Sequence, residues 1–168
     1  PNLDQLASEG VVYNHAYATA PICAPARSTL ITGMYATSLG TQHLRSEIPV
    51  PDTIKGIPEY LRQGGYFSTN NGKTDYNFDP SGMWDINSYD SAHRRQRPEG
   101  TPFFSVFNYG VTHEGHVNNY QPDDYQTLDQ RHNPEEVRLP PYYPQTDSFK
   151  VLWARQHDLI TVLDQRVG

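Results

Sequence analysis

The segment CAPARSTLITG, residues 23–33, has the features of a short helix whose first turn can bind an anion. Pro25 suits the first turn, where its missing N–H removes no hydrogen bond, and Gly33 suits the end of the helix. We therefore expect Cys23 just before the helix N-terminus and Arg27 one turn into the helix. Free N–H groups, the partial positive charge of a helix start and a guanidinium together favour an oxyanion.

Cys23 is the only cysteine among the 168 residues, which excludes an internal disulfide framework and a cysteine-rich zinc site. Its place beside a helix start favours a reactive, nucleophilic thiol. A buried structural cysteine is the alternative, and that is the commoner role of a cysteine that stands alone. The residues by themselves leave both roles open.

The charge and hydropathy of the chain exclude some functions. The formal net charge is −6, which argues against a nucleic-acid partner because phosphate backbones are held by basic surfaces. No apolar run approaches the roughly 18 residues of a membrane span. The length fits one domain or part of one. Because the first residue is Pro1 and not Met, we expect the parent protein to extend upstream.

Helix, glycine and strand patterns alternate along the chain in the order of an α/β fold. Asn2 is expected to be the N-cap of the first helix, and the β-branched and aromatic alternation of residues 11–18 predicts a strand. The closing helix is not followed by the strand that this order requires, so we expect the chain to continue downstream. The expected helices are 2–9, 25–32, 58–63 and 149–167, the expected strands 11–18, 66–71 and 103–108, and the expected loops 77–101 and 118–144.

The Cys23 segment resembles the signature of type I sulfatases, Cys-x-Pro-x-Arg followed by Thr-Gly, here completed by Thr32-Gly33. The resemblance implies an alkaline-phosphatase-like α/β fold, a mixed sheet between helices. It also implies that residues 1–168 are a partial N-terminal catalytic domain. In that family a strand upstream of this region and another downstream carry metal ligands. We therefore expect both strands to be missing here, and the stretch alone to be inactive.

The same resemblance implies a modified nucleophile at Cys23. In the family a formylglycine-generating enzyme oxidises the cysteine to formylglycine, whose aldehyde hydrates to a geminal diol. One hydroxyl attacks the sulfate ester and releases the alcohol, and the second then loses its proton and ejects sulfate. A calcium ion binds the modified residue and the sulfate. Cys23, as formylglycine, is the only metal ligand that we expect within this chain.

A second family-like segment is NGKTD, residues 71–75, which is similar to the family's Gly-Lys-Trp-His. The resemblance implies that Lys73 contacts the sulfate and the modified residue. Asp75 stands where many sulfatases have a histidine. It could take a proton as a general base, or serve as a turn or capping residue, and the sequence does not separate these roles.

A third family-like segment is the apolar run FFSVFN, residues 103–108, followed by Thr112-His113. It resembles a family strand that ends near a histidine at the sulfate. His113 would then donate a hydrogen bond to the ester oxygen and protonate the departing alcohol, which suits an imidazole. His43 and His116 are further candidates for contact with substrate.

These resemblances predict a sulfuric ester hydrolase that acts on a sulfated glycan, with periplasmic or extracellular location expected from the family. Two alternatives stay open. One is a formylglycine-dependent phosphonate or phosphate ester hydrolase, which uses the same nucleophile. The other is a non-catalytic glycan-binding protein on a sulfatase scaffold, which the replacement of the family histidine by Asp75 would permit.

Overall fold

A computed structural model describes residues 1–89, 96–119 and 125–168. They form two compact units, one comprising Pro1–Asn14 and Tyr109–Gly168 and the other His15–Asn108. None of the described helices is both long and apolar enough to cross a bilayer. The described helices are α1 (Asn2–Glu9), α2 (Cys23–Thr32), α3 (Ala36–Leu39), α4 (Ile57–Gln63), α5 (Glu114–Asn118) and α6 (Asp147–Val167), and the strands are β1 (Phe67–Asn70), β2 (Ile86–Asn87) and β3 (Phe103–Val106).

A parallel sheet organises the unit His15–Asn108. Among the described residues it has three strands in the order β2-β1-β3. Thr69 pairs with Ile86 on one side of β1, and Phe67 pairs with Phe103 on the other. Because all strands run the same way, their carboxyl ends meet at one edge, where ligands of open α/β sheets usually bind.

The helix expected at residues 25–32 is confirmed as α2, but it begins two residues earlier, at Cys23. Ile22 is the N-cap, so Cys23 is the first helical residue and not the residue before the helix. Gly33 ends the helix in the left-handed conformation, with φ of 70° and its N–H bonded to the Thr29 carbonyl. Such a C-cap favours glycine because a side chain is strained there.

The core of this unit lies against the sheet and includes part of the expected 77–101 loop. Ile31, Tyr76, Met83 and Trp84 are buried together, and the Trp84 ring stacks on Phe104 with centroids 6.0 Å apart. The expectation of a surface loop from 77 to 101 is therefore wrong in part, since this stretch supplies core residues and strand β2. Residues 90–95 lie outside the described residues.

Two expected strands differ from the structure. The strand predicted for residues 11–18 is wrong: the segment is irregular and exposed, with Tyr13 79% and Tyr17 86% accessible. The alternating β-branched and aromatic side chains of this segment do not pack against a core, and an alternating pattern without burial does not stabilise a strand. The strand expected at 103–108 is shorter in the structure, where β3 ends at Val106; Phe103 is 46% accessible and the other three residues of the strand are half-buried.

The other unit is built on α6, whose buried face packs on Val111 and Tyr125 through Leu159 and Val162. The expected helices 149–167 and 2–9 are confirmed as α6 and α1. The N-cap assigned to Asn2 is wrong, since α1 starts at Asn2 itself. The Asp164 carboxylate from α6 accepts the N–H of Leu3 at 2.8 Å and that of Asn2 at 3.1 Å. These bonds satisfy N–H groups at the helix start and hold the pKa of Asp164 below its ordinary value.

Candidate active site

Cys23 occupies the first position of α2 as a free, partly buried thiol. Its neighbours Ala24 and Pro25 are buried, and they fix the start of the helix against the protein. The first N–H groups of a helix have no partner within the helix, and the helix dipole adds a partial positive charge. The side chain of Cys23 therefore lies at a helix N-terminus, a position that favours an anion.

Arg27, one turn further along α2, binds the loop that follows β1. Its Nε donates to the Thr74 carbonyl at 2.6 Å, and its Nη2 donates to the Lys73 carbonyl at 2.7 Å. The guanidinium carbon also lies 5.6 Å from the ring centroid of Tyr76. Burial raises the pKa of this tyrosine, although the charge of Arg27 opposes the rise. Arg27 thus joins the helix of Cys23 to the loop of Lys73.

Asparagine side chains join the strands at the carboxyl edge of the sheet. Asn70, the last residue of β1, donates from Nδ2 to the Lys73 carbonyl at 3.0 Å and to Asn87 Oδ1 at 2.8 Å. Asn108, two residues after β3, donates from Nδ2 to Asn70 Oδ1 at 2.9 Å and to the Asn71 carbonyl at 3.1 Å. Asn108 Oδ1 accepts from Arg27 Nη2 at 3.0 Å. We call the side chains of Arg27, Asn70 and Asn108 the Lys73 anchor.

The turn after β1 brings Lys73 and Asp75 together. Lys73 Nζ lies 4.0 Å from Asp75 Oδ2, and the two side chains are 38% and 28% accessible. Gly72 and Asp75 both have left-handed backbones, with φ of 73° and 55°. Glycine tolerates this conformation without strain, and Asp adopts it more readily than most residues. The turn presents a cation and a carboxylate that solvent can reach.

Asn77 attaches the segment of His43 to the same turn. Its buried Nδ2 donates to the carbonyls of Thr41 at 2.8 Å and His43 at 2.7 Å. On the other side, the Thr41 hydroxyl shares a buried hydrogen bond of 2.8 Å with Ser28 of α2. The His43 ring itself is exposed and lies beside Gln42, with 3.4 Å between their nitrogens. The backbone at His43 is therefore fixed while its ring stays accessible.

His113 and His116 belong to the other unit, at the start and within α5. His113 is the N-cap of α5, and its Nδ1 accepts the N–H of Gly115 at 3.2 Å. A neutral imidazole that accepts at Nδ1 carries its proton on Nε2, which is then available as a donor. The ring of His113 is exposed and that of His116 partly buried. The roles expected for both residues stay predictions.

Comparison with known proteins gives the family. The family model described as Sulfatase matches residues 1–80, a range that contains Cys23, Arg27, Lys73 and Asp75. The ulvan-active sulfatase of Formosa agariphila is 33% identical over 216 aligned positions, which cover all of this chain and 35% of that protein. This chain belongs to the sulfatase family.

Further relatives agree with that placement. The N-acetylgalactosamine-6-O-sulfatase of Bacteroides thetaiotaomicron is 28% identical over 84% of this chain and 31% of its own length. The chain thus spans about a third of these curated relatives. Among solved structures, a 2-O GAG sulfatase superposes with a TM-score of 0.63 at 15% identity, covering 99% of this chain and 47% of that one. The expected alkaline-phosphatase-like α/β fold of a sulfatase is confirmed.

The family also implies calcium, and the described residues do not fit a complete site for it. No group of three or more His, Cys, Asp or Glu side chains that could hold a metal ion occurs among them. Ca²⁺ takes about six to eight oxygen ligands, mostly carboxylates and carbonyls.

The family-like segments of the sequence predict Cys23, Arg27 and Lys73 as site residues, but not the asparagines. Asn70 and Asn108 end or closely follow strands of one parallel sheet, and that position was the available signal. The pairing of their amides follows only from the tertiary contacts. Asn77 was missed because its buried amide lies in a stretch that the sequence described only as a polar loop.

Proposed function

We propose that the protein is a sulfuric ester hydrolase whose nucleophile is made from Cys23. The observation that carries this proposal is the pair of hydrogen bonds from Arg27 to the carbonyls of Lys73 and Thr74. They connect the helix start of Cys23 with the turn that holds a partly exposed ammonium. A helix N-terminus and a lysine together suit the binding of a sulfate group.

Cys23 is converted to formylglycine in this proposal, by a formylglycine-generating enzyme. The residue fits such a change because it is a free, partly buried thiol at the first position of a helix. The hydrated aldehyde would supply the attacking oxygen. Lys73 binds the sulfate as a compact cation, and Arg27 holds the Lys73 and Thr74 backbone as well as adding positive charge.

In the proposal, two side chains transfer protons and two further side chains contact the substrate. Asp75 lies 4.0 Å from Lys73 and accepts a proton as a general base. His113 carries the donor N–H at Nε2 that would serve the departing alcohol, because its Nδ1 accepts from Gly115. The exposed ring of His43, and that of His116, would contact the substrate beyond the sulfate.

A sulfated polysaccharide is the substrate class that we propose. It is supported by relatives named as an ulvan-active sulfatase and an N-acetylgalactosamine-6-O-sulfatase. Polymers of this kind lie outside the cytoplasm, so we propose a periplasmic or extracellular location. Calcium is included as an ion that modified Cys23 helps to bind, with further ligands that the described residues do not provide.

The test combines mass spectrometry with turnover. The full-length protein is produced with a formylglycine-generating enzyme, and the peptide that contains Cys23 is analysed for aldehyde in place of thiol. Sulfate release is then measured from 4-nitrophenyl sulfate and ulvan, with Cys23→Ala as the inactive control. We expect modification and sulfate release together, both abolished in the control.

Other outcomes identify the alternatives. Faster hydrolysis of 4-nitrophenyl phosphate or of a phenyl phosphonate than of the sulfate would indicate a phosphoester or phosphonate hydrolase. Unmodified Cys23 in a host that modifies other sulfatases, with binding of ulvan but no turnover, would indicate a glycan-binding protein. Either result contradicts the proposal.

A further inference from the structure

Asn108 connects three separate parts of the candidate site. Its Oδ1 accepts from Arg27 Nη2 at 3.0 Å, and its Nδ2 donates to Asn70 Oδ1 at 2.9 Å and to the Asn71 carbonyl at 3.1 Å. A guanidinium can only donate, so the orientation of the amide is fixed. Only a side chain that accepts on one side and donates on the other satisfies all these partners.

These hydrogen bonds close into a ring. Arg27 donates both to Asn108 and to the Lys73 carbonyl at 2.7 Å, while Asn70 donates to the same carbonyl at 3.0 Å. Asn108 completes the ring through Asn70. Asn70 is fully buried, and Arg27 and Asn108 are partly buried, so water competes poorly for these bonds.

The ring fixes the backbone of Lys73 and leaves its side chain accessible. The Lys73 carbonyl accepts two hydrogen bonds from the Lys73 anchor, whereas the side chain is 38% exposed. A lysine side chain is flexible and carries its charge at the tip, so the position of the ammonium group depends on where the backbone is held. Small displacements of a group that binds the reacting atoms are costly in rate.

We propose that Asn108 is a positioning residue for sulfate ester hydrolysis, acting through Arg27 and Asn70 to fix the position of Lys73. The inference rests on the proposed function, because it requires Lys73 to bind the sulfate. It concerns the rate of turnover, not the stability of the fold. The Asn108 side chain lacks a role in the sulfatase signature and is recognised here by its contacts alone.

The first test compares variants of the full-length, modified protein with 4-nitrophenyl sulfate as substrate. We expect Asn108→Ala to lower kcat about tenfold or more with a smaller change in KM. Asn108→Asp has nearly the same size and should lose at least as much, because an oxygen would face the acceptors of Asn70 and Asn71. Asn87→Ala is the matched control: Asn87 bonds to Asn70 but closes no part of the ring, so kcat should stay within about twofold.

The second test is a double-mutant cycle with Lys73→Met. If Asn108 acts through Lys73, Asn108→Ala should change kcat by less than about twofold once Lys73 is gone. The same tenfold loss in both backgrounds would overturn the proposal. Hydrogen–deuterium exchange of residues 71–75 should rise in Asn108→Ala and not in Asn87→Ala. Unchanged exchange in this segment would equally overturn it.

The two proposals fail in different ways. Wild-type protein that releases no sulfate from any ester contradicts the proposed function, and the positioning role falls with it. Wild-type turnover that Asn108→Ala and Asn108→Asp leave unchanged contradicts the positioning role alone. Because Asn108→Asp conserves volume, the comparison stands even where Asn108→Ala does not fold.

Discussion

The Lys73 ammonium lies 4.0 Å from the Asp75 carboxylate, in a turn that gives both side chains access to solvent. We predict that Asp75→Asn lowers kcat for 4-nitrophenyl sulfate about 100-fold, since an amide cannot accept a proton as a general base. Asn tolerates the left-handed φ of 55° at this position, so the melting temperature should change little. Steady-state kinetics and thermal unfolding together check the prediction.

The matched control is Asp79→Asn, which removes an exposed carboxylate four residues further along the same loop. Asp79 bonds to Ser81 and not to Lys73, so its loss should leave kcat within about twofold. If Asp75→Asn keeps full activity, Asp75 is a turn residue and the general base must be sought elsewhere.

Gly72 combines a left-handed backbone, which would strain any other residue, with a neighbouring ring that leaves no room for a side chain. Its φ is 73°, and a Cβ at this position would collide with the ring of Tyr89. Gly65 has a φ of 85° with open space around it. We predict that Gly65→Ala costs about 1 kcal/mol of unfolding free energy from the backbone alone, and Gly72→Ala about 2 kcal/mol or more. Chemical denaturation measures both.

A double variant isolates the collision at Gly72. In Tyr89→Ala protein, Gly72→Ala should cost no more than Gly65→Ala, because only the backbone strain remains. Equal costs of Gly72→Ala with and without Tyr89 would show that the ring moves aside freely. Gly72→Ala should also lower turnover, since Lys73 is the next residue.

Local signals in the sequence located the elements that begin or end at proline and glycine. Helix α2 ends at Gly33 and α4 precedes Gly64, as the sequence indicated, because the conformation of a single residue decides these ends. The strand predicted for residues 11–18 failed because a strand needs a neighbour and a buried face, which no local pattern supplies. The N-cap assigned to Asn2 failed because Asp164, 162 residues away, provides the acceptor instead.

The candidate site likewise contains residues that the sequence predicts and residues that only the structure reveals. Cys23 and Arg27 lie within one short motif and Lys73 within another, so the sequence alone predicts them as site residues. The residues that hold them are not predicted in this way: Asn108 meets Arg27 across 81 positions. Their contribution depends on the sheet that brings them together, and for that reason it is visible only in the structure.

Asn77 should be important for both stability and substrate binding. Its buried amide donates hydrogen bonds to the carbonyls of Thr41 and His43. The Asn77 backbone is left-handed, with φ of 60°. Asn77→Gly tolerates that φ but leaves the Thr41 carbonyl without a donor and the His43 carbonyl with only the N–H and hydroxyl of Ser46, so we predict a loss of about 2 kcal/mol of unfolding free energy. Asn77→Ala adds backbone strain of about 1 kcal/mol.

A readout of function separates the role of the His43 segment from general destabilisation. For a polymeric substrate such as ulvan, Asn77→Gly should raise KM more than it lowers kcat, because the segment of His43 is no longer fixed. Asn133→Ala removes an exposed turn asparagine of the other unit and serves as the control. It should leave kcat and KM unchanged and alter the free energy of unfolding by no more than about 0.5 kcal/mol. A pure loss of kcat in Asn77→Gly would contradict a role in substrate binding.

Asp158 should make the stability of the α6 unit depend on pH. The side chain is 2% accessible and accepts from Arg131 Nε at 2.5 Å, from the His132 backbone N–H at 2.8 Å and from His132 Nδ1 at 2.8 Å. Burial raises the pKa of Asp158, but these hydrogen bonds outweigh burial and hold the pKa below its ordinary value. The group therefore binds its proton less readily when folded than when unfolded.

The sign of the pH effect follows from that shift. A lowered folded pKa means that the stabilisation is fully present above the unfolded pKa of about 3.9 and is lost as the pH falls through the folded pKa. We predict that Asp158→Asn lowers the free energy of unfolding by about 2 kcal/mol at pH 7. The difference from wild type should shrink steadily below about pH 4, as the wild-type carboxylate takes up its proton. Other carboxylates titrate in both proteins and cancel in the difference.

Denaturation of the two proteins at pH 7, 5, 4 and 3 measures this trend. Asp147→Asn is the control on the same helix, because its side chain is 91% accessible and its ion pair with Lys150 is at the surface. That variant should stay within about 0.5 kcal/mol of wild type at every pH. A difference between Asp158→Asn and wild type that is constant from pH 7 to pH 3 would mean that the shape of the side chain, and not its charge, holds residues 131–132 against α6.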